Sequence, residues 1–197
     1  MSRMSRIADY DAFVSWHISD LPLATRTVTT LERAGISTWW DRGVRDNPAQ
    51  GTVTEILSQL ALRVRQCKYL VFIASLPALG SAWVRAEVET FIDQSKPAIV
   101  WHPREDASAL HRLMASVPGD TRGEVTRVLG SPNIIAEFDR PRTDVDFVSK
   151  NIATLLRFFK HVEGKGLVVS RDTFTTEYPK YVHDDMDFLM TFLAPEP

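Results

Sequence analysis

The chain has a single cysteine, Cys67, so no internal disulfide can brace it; the residue reads as a small buried hydrophobe entering a strand. It has no apolar run long enough to span a bilayer, because the longest uncharged stretch, Tyr69 to Val84, is interrupted by Ser75, Pro77 and Gly80. Met1 to Arg6 carry two arginines with no apolar signal-peptide core behind them, so secretion is not expected and a cytoplasmic location follows by elimination. Net charge is small, −2 at pH 7, which gives no field to recruit nucleic acid or an anionic membrane as the main partner. There is no Gly-x-Gly-x-x-Gly and no Walker loop, so neither a Rossmann nor a P-loop nucleotide site has support. The five histidines lack metal-ligand spacing, and no metal site is expected. Internal repeats and low-complexity segments are absent as well.

What is present is an ordinary globular composition, 44% hydrophobic and 24% charged, over 197 residues, enough for one domain with a sizeable core. Asp11 to Trp16 read as a first buried strand, and His17 to Asp20 lead into a helix. Asp20 is the expected N-cap of that helix, Pro22 sits in its first turn, Ala24, Val28 and Leu31 form its inner stripe, and Gly35 closes it. Ile36 to Trp40 make a second strand, and Asp41 to Gly51, with two glycines and Pro48, a loop. Val53, Ile56, Leu57, Leu60, Ala61 and Val64 mark one face of a helix, and Tyr69 to Ala74 a strand apolar on both faces. A further helix runs from the Trp83 region to about Gln94. Pro97 to Trp101 form a fourth strand ended by His102 and Pro103. Residues 106–130 read as one or two short helices, Ile134 to Phe138 as a fifth strand, and Val145 to Val162 as a long amphipathic helix.

That alternation predicts an α/β fold: a flavodoxin-like, open, five-stranded parallel sheet with helices on both faces, over about residues 9–162 after a short tail at 1–8. Residues 163–197 form an extension: a hinge at Gly164-Lys165-Gly166, a possible small strand at Leu167 to Ser170, and a helix marked by Val182, Met186, Leu189 and Met190. It reads either as a cap on the protein's own body or as an oligomer contact.

In open parallel sheets, ligands bind outside the carboxyl ends of the strands. Here those ends carry Ser15, Trp16 and His17 after strand one, Trp39, Trp40 and Asp41 after strand two, Ser75 after strand three and His102 after strand four. On the same rim, Gly80 to Glu89 turns from loop into helix. Trp83 and Glu87 lie one helical turn apart on one face, beside a buried stripe of Val84, Val88 and Phe91. An aromatic beside a carboxylate can hold a flat or sugar-like ligand with a developing positive charge. The same pair also reads as plain packing, with the glutamate favouring the helix dipole. No aspartate ends strand three, where Ala74-Ser75 stands, so a response-regulator receiver is not supported.

Three segments have a familiar form. Tyr10-Asp11-Ala12-Phe13-Val14-Ser15-Trp16 resembles the opening strand of Toll/interleukin-1 receptor (TIR) domains. Gly35-Ile36-Ser37-Thr38-Trp39-Trp40-Asp41 is similar to the family's second strand, which leads into its BB loop. Ser81-Ala82-Trp83-Val84-Arg85-Ala86-Glu87 is similar to its Ser-x-Trp-x-x-x-Glu segment. The loop from Asp41 to Gly51 departs from the Arg-Asp-x-x-Pro-Gly box of receptor members, which weakens a receptor-like scaffold reading. The resemblance implies one of two functions. Bacterial, plant and one axon-degeneration TIR domain cleave NAD+ at the nicotinamide N-glycosidic bond, and the glutamate matching Glu87 is their catalytic residue. Receptor and adaptor members assemble with other TIR domains without catalysis. A free-standing TIR domain fits bacterial anti-phage systems such as Thoeris, in which a cyclic ADP-ribose-type signal is read by a separate effector, and self-association is implied by the family.

On the enzymatic reading NAD+ is the substrate, no resident cofactor is required, and the products are nicotinamide with ADP-ribose or a cyclic form. Nicotinamide leaves neutral, so the site needs one carboxylate, Glu87, to offset the ribose oxocarbenium, and no glycosidase-like pair. Trp83 can stack on a ring or wall off water. Trp16, Trp39 and Trp40 can do likewise or belong to the core. Ser15, His17, Asp20 and Ser75 sit where adenosine or phosphate contacts are expected. Arg42 and Arg45 either meet the pyrophosphate or are solvated, and Asp41 either joins the site or caps its loop. A third reading is a nucleoside deoxyribosyltransferase-like enzyme, which would act on nucleosides without a pyridinium.

Overall fold

In the computed structural model, which describes residues 10–40, 61–104, 123 and 127–184, strands and helices alternate along the chain. Strand β1 (Tyr10–Ser15) passes through a single 3-10 turn at Ile18–Asp20 into helix α1 (Leu21–Arg33), followed by the short strand β2 (Thr38–Trp39). Residues 61–66 are helical and run directly into β3 (Cys67–Ile73). Then come a short helix α2 (Leu76–Gly80), helix α3 (Ala82–Asp93), β4 (Ala98–Arg104), β5 (Ile134–Pro141), and helices α4 (Val145–Gly164) and α5 (Arg171–Asp184). The expectations for the Asp41–Gly51 loop, the helix start at Val53 to Leu60, most of 106–130, and Met186, Leu189 and Met190 fall outside the described residues.

The strands form one five-stranded sheet in the order β2-β1-β3-β4-β5, and every pairing is parallel. Parallel strands need crossovers, and the helices that supply them cover both faces. On one face Ala12, Val14, Tyr69, Val71, Ile99 and Trp101 pack with the inner stripes of α1 and α4. On the other, Phe13, Leu70, Phe72, Ala98 and Val100 pack with Val64, Val84, Val88 and Phe91. The expected flavodoxin-like α/β architecture is the one observed.

Local chemistry explains several boundaries. Gly35 adopts φ +75°, and the N–H groups of Gly35 and Ile36 close the end of α1 on the carbonyls of Glu32 and Leu31, each at 3.0 Å. Helix α1 holds Pro22 in its first turn as expected, but the side chain of Asp20 makes no capping hydrogen bond; its carboxylate is drawn elsewhere. Strand β4 continues through His102 and Pro103, which the sequence reading made its end. Beyond Trp101 it has only β5 as a neighbour, so the missing N–H of Pro103 costs no ladder bond on the vacant side. Strand β5 likewise runs three residues past Phe138.

The extension also differs from expectation. Leu167 to Ser170 form no strand. The carbonyl of Ile134, on the outermost strand, is taken by Arg171 Nε at 2.7 Å, so a side chain rather than a sixth strand meets that edge. Helix α5 starts at Arg171 and lays Phe174, Tyr178 and Tyr181 over Phe158 of α4, with ring centroids 6.1, 5.2 and 5.5 Å away.

Candidate functional site at the carboxyl rim of the sheet

Side chains alternate along a strand, so Phe13 and Ser15 of β1 face α3 while Ala12 and Val14 face α1 and α4. Ser15 is the last residue of β1 and pairs with Phe72 of β3, which places its hydroxyl at the carboxyl end of the sheet under the start of α3. That helix is capped at its start by Ser81, whose Oγ accepts the N–H of Val84. Its inner face carries Val84, Glu87, Val88 and Phe91, three apolar residues and one acid.

Glu87 is fully buried, with 0% of its surface exposed. Such burial is tolerable only if both carboxylate oxygens are satisfied. Ser15 Oγ, itself 0% exposed, donates to Oε2 at 2.5 Å. The indole N–H of Trp83, one turn earlier, donates to Oε1 at 2.8 Å. The helical spacing of Trp83 and Glu87 thus becomes a direct hydrogen bond, and Ser15 joins them from a strand 72 residues away. Among the described residues, Ser15 and Trp83 are the expected site residues that the fold brings onto Glu87.

A second polar cluster lies on the same rim. Asp20, also 0% exposed, accepts from the hydroxyl of Ser75, the second residue beyond β3. Its other oxygen takes Arg142 Nη2 at 2.7 Å, from the 3-10 turn that follows β5. Ser75 works twice, because its Oγ also accepts the N–H of Ala78 at 3.2 Å and caps α2. Asp20 and Ser75 therefore meet, as two of the expected contacts, in a cluster that ties together the ends of β1, β3 and β5.

Other expected residues are placed apart from Glu87. Trp16 lies in the core on the α1 and α4 face, 1% exposed, with its ring 5.9 Å from that of Trp40. His17 is half-buried and serves its own turn: Nδ1 accepts the N–H of Ser19 at 3.2 Å. Trp39 is on the Glu87 face and stacks on Phe13 at 4.9 Å. Asp41, Arg42 and Arg45 lie outside the described residues. His102 contacts Glu137 through Nε2 at 3.3 Å, while its buried Nδ1 has no hydrogen-bond partner. Burial pulls its pKa below the ordinary 6.5, against the opposing pull of Glu137.

Arg142 is not among the residues to which the sequence pattern points. Strand β5 alternates polar and apolar residues at the sheet's end, and from Glu137 onward this looks like the start of a loop. With the strand ended at Phe138, the rule that strand ends carry function never reached residue 142.

Chemically, the rim offers a carboxylate that, among the described residues, takes donors from two separate elements, and an aromatic ring in contact with it. Among the described residues no group of three or more His, Cys, Asp or Glu is placed to hold a metal ion. No helix among them is long and apolar enough to cross a membrane. No protein-family model matches the chain, and no curated protein matches it significantly.

Proposed function

We propose that the chain is an NAD+-cleaving enzyme of the TIR type, with Glu87 as its catalytic residue and NAD+ as substrate rather than resident cofactor. The observation that carries this reading is the hydrogen-bonded set Ser15–Glu87–Trp83 at the carboxyl end of a parallel sheet. All three residues belong to segments that resemble the TIR family.

In the proposed reaction the bond between ribose C1′ and the nicotinamide nitrogen breaks, and its electron pair leaves with nicotinamide. The pyridinium charge is thereby cancelled, and positive charge passes to the ribose. Glu87, oriented by Ser15 and Trp83, offsets that charge without taking or giving a proton. The indole of Trp83 walls the reacting carbon from bulk water. Attack by water releases a proton and gives ADP-ribose; attack by a hydroxyl or an adenine nitrogen of the same molecule gives a cyclic product. Because Glu87 is buried, turnover requires its cover to move aside, as many enzymes require of a lid. Self-association, a separate effector that reads the product, a cytoplasmic setting and a role in anti-phage defence belong to the same proposal.

One observation favours a second reading, a non-catalytic TIR assembly module. A wholly buried carboxylate with a donor on each oxygen is also what a purely structural tie between β1 and α3 needs. The discriminating experiment is incubation of concentrated full-length protein with NAD+, and separately with a simple nucleoside, with products identified by mass spectrometry. Release of nicotinamide with ADP-ribose or a cyclic form supports the enzyme. Cleavage of the nucleoside alone supports the deoxyribosyltransferase-like reading, and no turnover of either, with self-association observed, supports the assembly module.

A further inference from the structure

One buried titratable group on the rim has no part in the reaction described so far. His102, beyond Trp101 on β4, has a side chain only 12% exposed. Its Nε2 meets Glu137 Oε2 at 3.3 Å, and its buried Nδ1 has no hydrogen-bond partner among the described residues. We propose, resting on the NAD+-cleaving reading above, that His102 is the general base that takes a proton from the attacking water, with Glu137 as its positioning residue.

Strand alternation puts His102 on the face of the sheet that carries Glu87. Val100 packs on the α3 side and Trp101 on the α1 and α4 side, so His102 returns to the α3 side. Glu137 pairs with Val100 and stands between Ala136 and Phe138, which pack on the opposite side, so it shares that face. Ala74, the residue after β3, also packs there and donates its N–H to the Trp101 carbonyl at 2.7 Å, so β3 sets only a methyl group on the row of His102. Ser15 pairs with Phe72 and Phe72 with Val100. Ser15, which holds Glu87, is therefore two strands and two residues from His102, about 12 Å at the backbone. A water held between a base and a carboxylate on the far side of a sugar carbon needs the two groups about 6.5–9.5 Å apart, and this backbone separation leaves that room once an imidazole reaches in.

The ring is set up for that task. With Nε2 against a carboxylate, that nitrogen carries the hydrogen and Nδ1 keeps the lone pair, which points away from Glu137. Among the described residues, the charged groups beside His102 are Glu137, which raises its pKa, and Arg104, which lowers it and is itself paired with Asp139. Burial outweighs Glu137 and holds the pKa below 6.5, so the neutral base form prevails at neutral pH. As the water oxygen bonds to C1′, one of its O–H bonds breaks and the proton passes to Nδ1, while nicotinamide departs with the electron pair of the C–N bond. Glu137 offsets the imidazolium charge until the proton is lost to solvent. A pyridine nitrogen attacking C1′, the reverse of nicotinamide departure, has no proton to give up and needs no base.

The test follows two acceptors in the full chain: ADP-ribose formation from NAD+, and incorporation of isotopically labelled nicotinamide into NAD+. His102→Gln should slow ADP-ribose formation about a hundredfold and leave label incorporation within about threefold of wild type, whereas Glu87→Gln should lose both. In wild type, ADP-ribose formation should fall as pH drops through the His102 pKa, below 6.5, while label incorporation stays level. Glu137→Gln should move that fall to lower pH, because it removes the charge that raises the pKa. ADP-ribose formation in His102→Gln as fast as in wild type, or equal slowing of both reactions, would overturn the role of His102 and leave that of Glu87 standing. So would an exclusively cyclic product whose formation His102→Gln does not change. Should the variant fail to fold, a wild-type pH profile identical for the two reactions overturns the role by itself. Failure of wild type to cleave NAD+ at all overturns the parent reading, and this role with it.

Discussion

Ser15→Ala removes one hydroxyl from the centre of the rim and leaves every other group in place. In the folded protein that hydroxyl donates to Glu87 Oε2 at 2.5 Å, and neither residue has exposed surface. The space vacated is smaller than the share of a water molecule, about 30 Å3, so solvent cannot take over the bond. A hydrogen bond to a charged group contributes about 1.5–3 kcal/mol. For a chain of this size each kcal/mol moves the midpoint by about 2–4 °C, so Tm should fall by roughly 3–12 °C. Urea unfolding followed by tryptophan fluorescence gives the free energy directly. The same substitution in a Glu87→Gln background should cost at least about 1 kcal/mol less, because a neutral amide replaces the charge. A Ser15→Ala protein within about 0.5 kcal/mol of wild type would refute the reasoning, since surface changes alone produce differences of that size.

Arg142→Ala leaves the buried carboxylate of Asp20 with only the Ser75 hydroxyl in the described cluster, and should destabilise by about 2–3 kcal/mol in thermal melts, a little under a fully buried pair. Phe158→Ala removes the ring on which Phe174, Tyr178 and Tyr181 rest, and should cost about 3–5 kcal/mol while raising amide exchange first in α5. For Asp11, burial pushes the pKa up, but the Ser37 N–H and hydroxyl and the Lys160 ammonium outweigh it, so the group lies below its ordinary 3.8. The unfolded chain therefore holds that proton more tightly, and the stabilisation is full above the ordinary value and lost as pH falls below it. Asp11→Asn should be less stable at neutral pH, with a shallower loss of stability on acidification below about pH 4.

Strongly patterned elements are legible in the sequence. The inner stripes of α1 and α4 repeat at helical spacing, and β3 is a short apolar run of strand length rich in β-branched and aromatic residues. Element ends were less legible, because they depend on neighbours. Strand β4 continues past Pro103 only because β5 extends beside it, and β5 extends as a polar edge that sequence pattern cannot separate from loop. The start of helix α5 is not legible for a related reason: its anchors are the aromatic side chains of Phe174, Tyr178 and Tyr181, which make sense only against Phe158.

The candidate site divides in the same way. Glu87 and Trp83 could be paired from sequence since helical spacing is local, and Ser15 was placed at the rim by the strand-end rule. Which oxygen each donor meets, and that Trp16 turns to the opposite face from Ser15, follow from the alternation of β1 once its register with β3 is fixed. The Asp20–Ser75–Arg142 cluster needed three strand ends to be brought together, and no local pattern encodes that.

Glu87→Gln provides the most direct test of the proposed activity. The amide keeps the size of the side chain and can accept from the Trp83 indole while meeting the Ser15 hydroxyl with its NH2 group, but it carries no charge. NAD+ consumption should be measured on concentrated wild type and on the variant, with circular dichroism confirming that both are folded. Loss of about a hundredfold or more in turnover is expected for removal of the principal electrostatic group. Equal turnover of NAD+ by wild type and variant would contradict a catalytic role for Glu87.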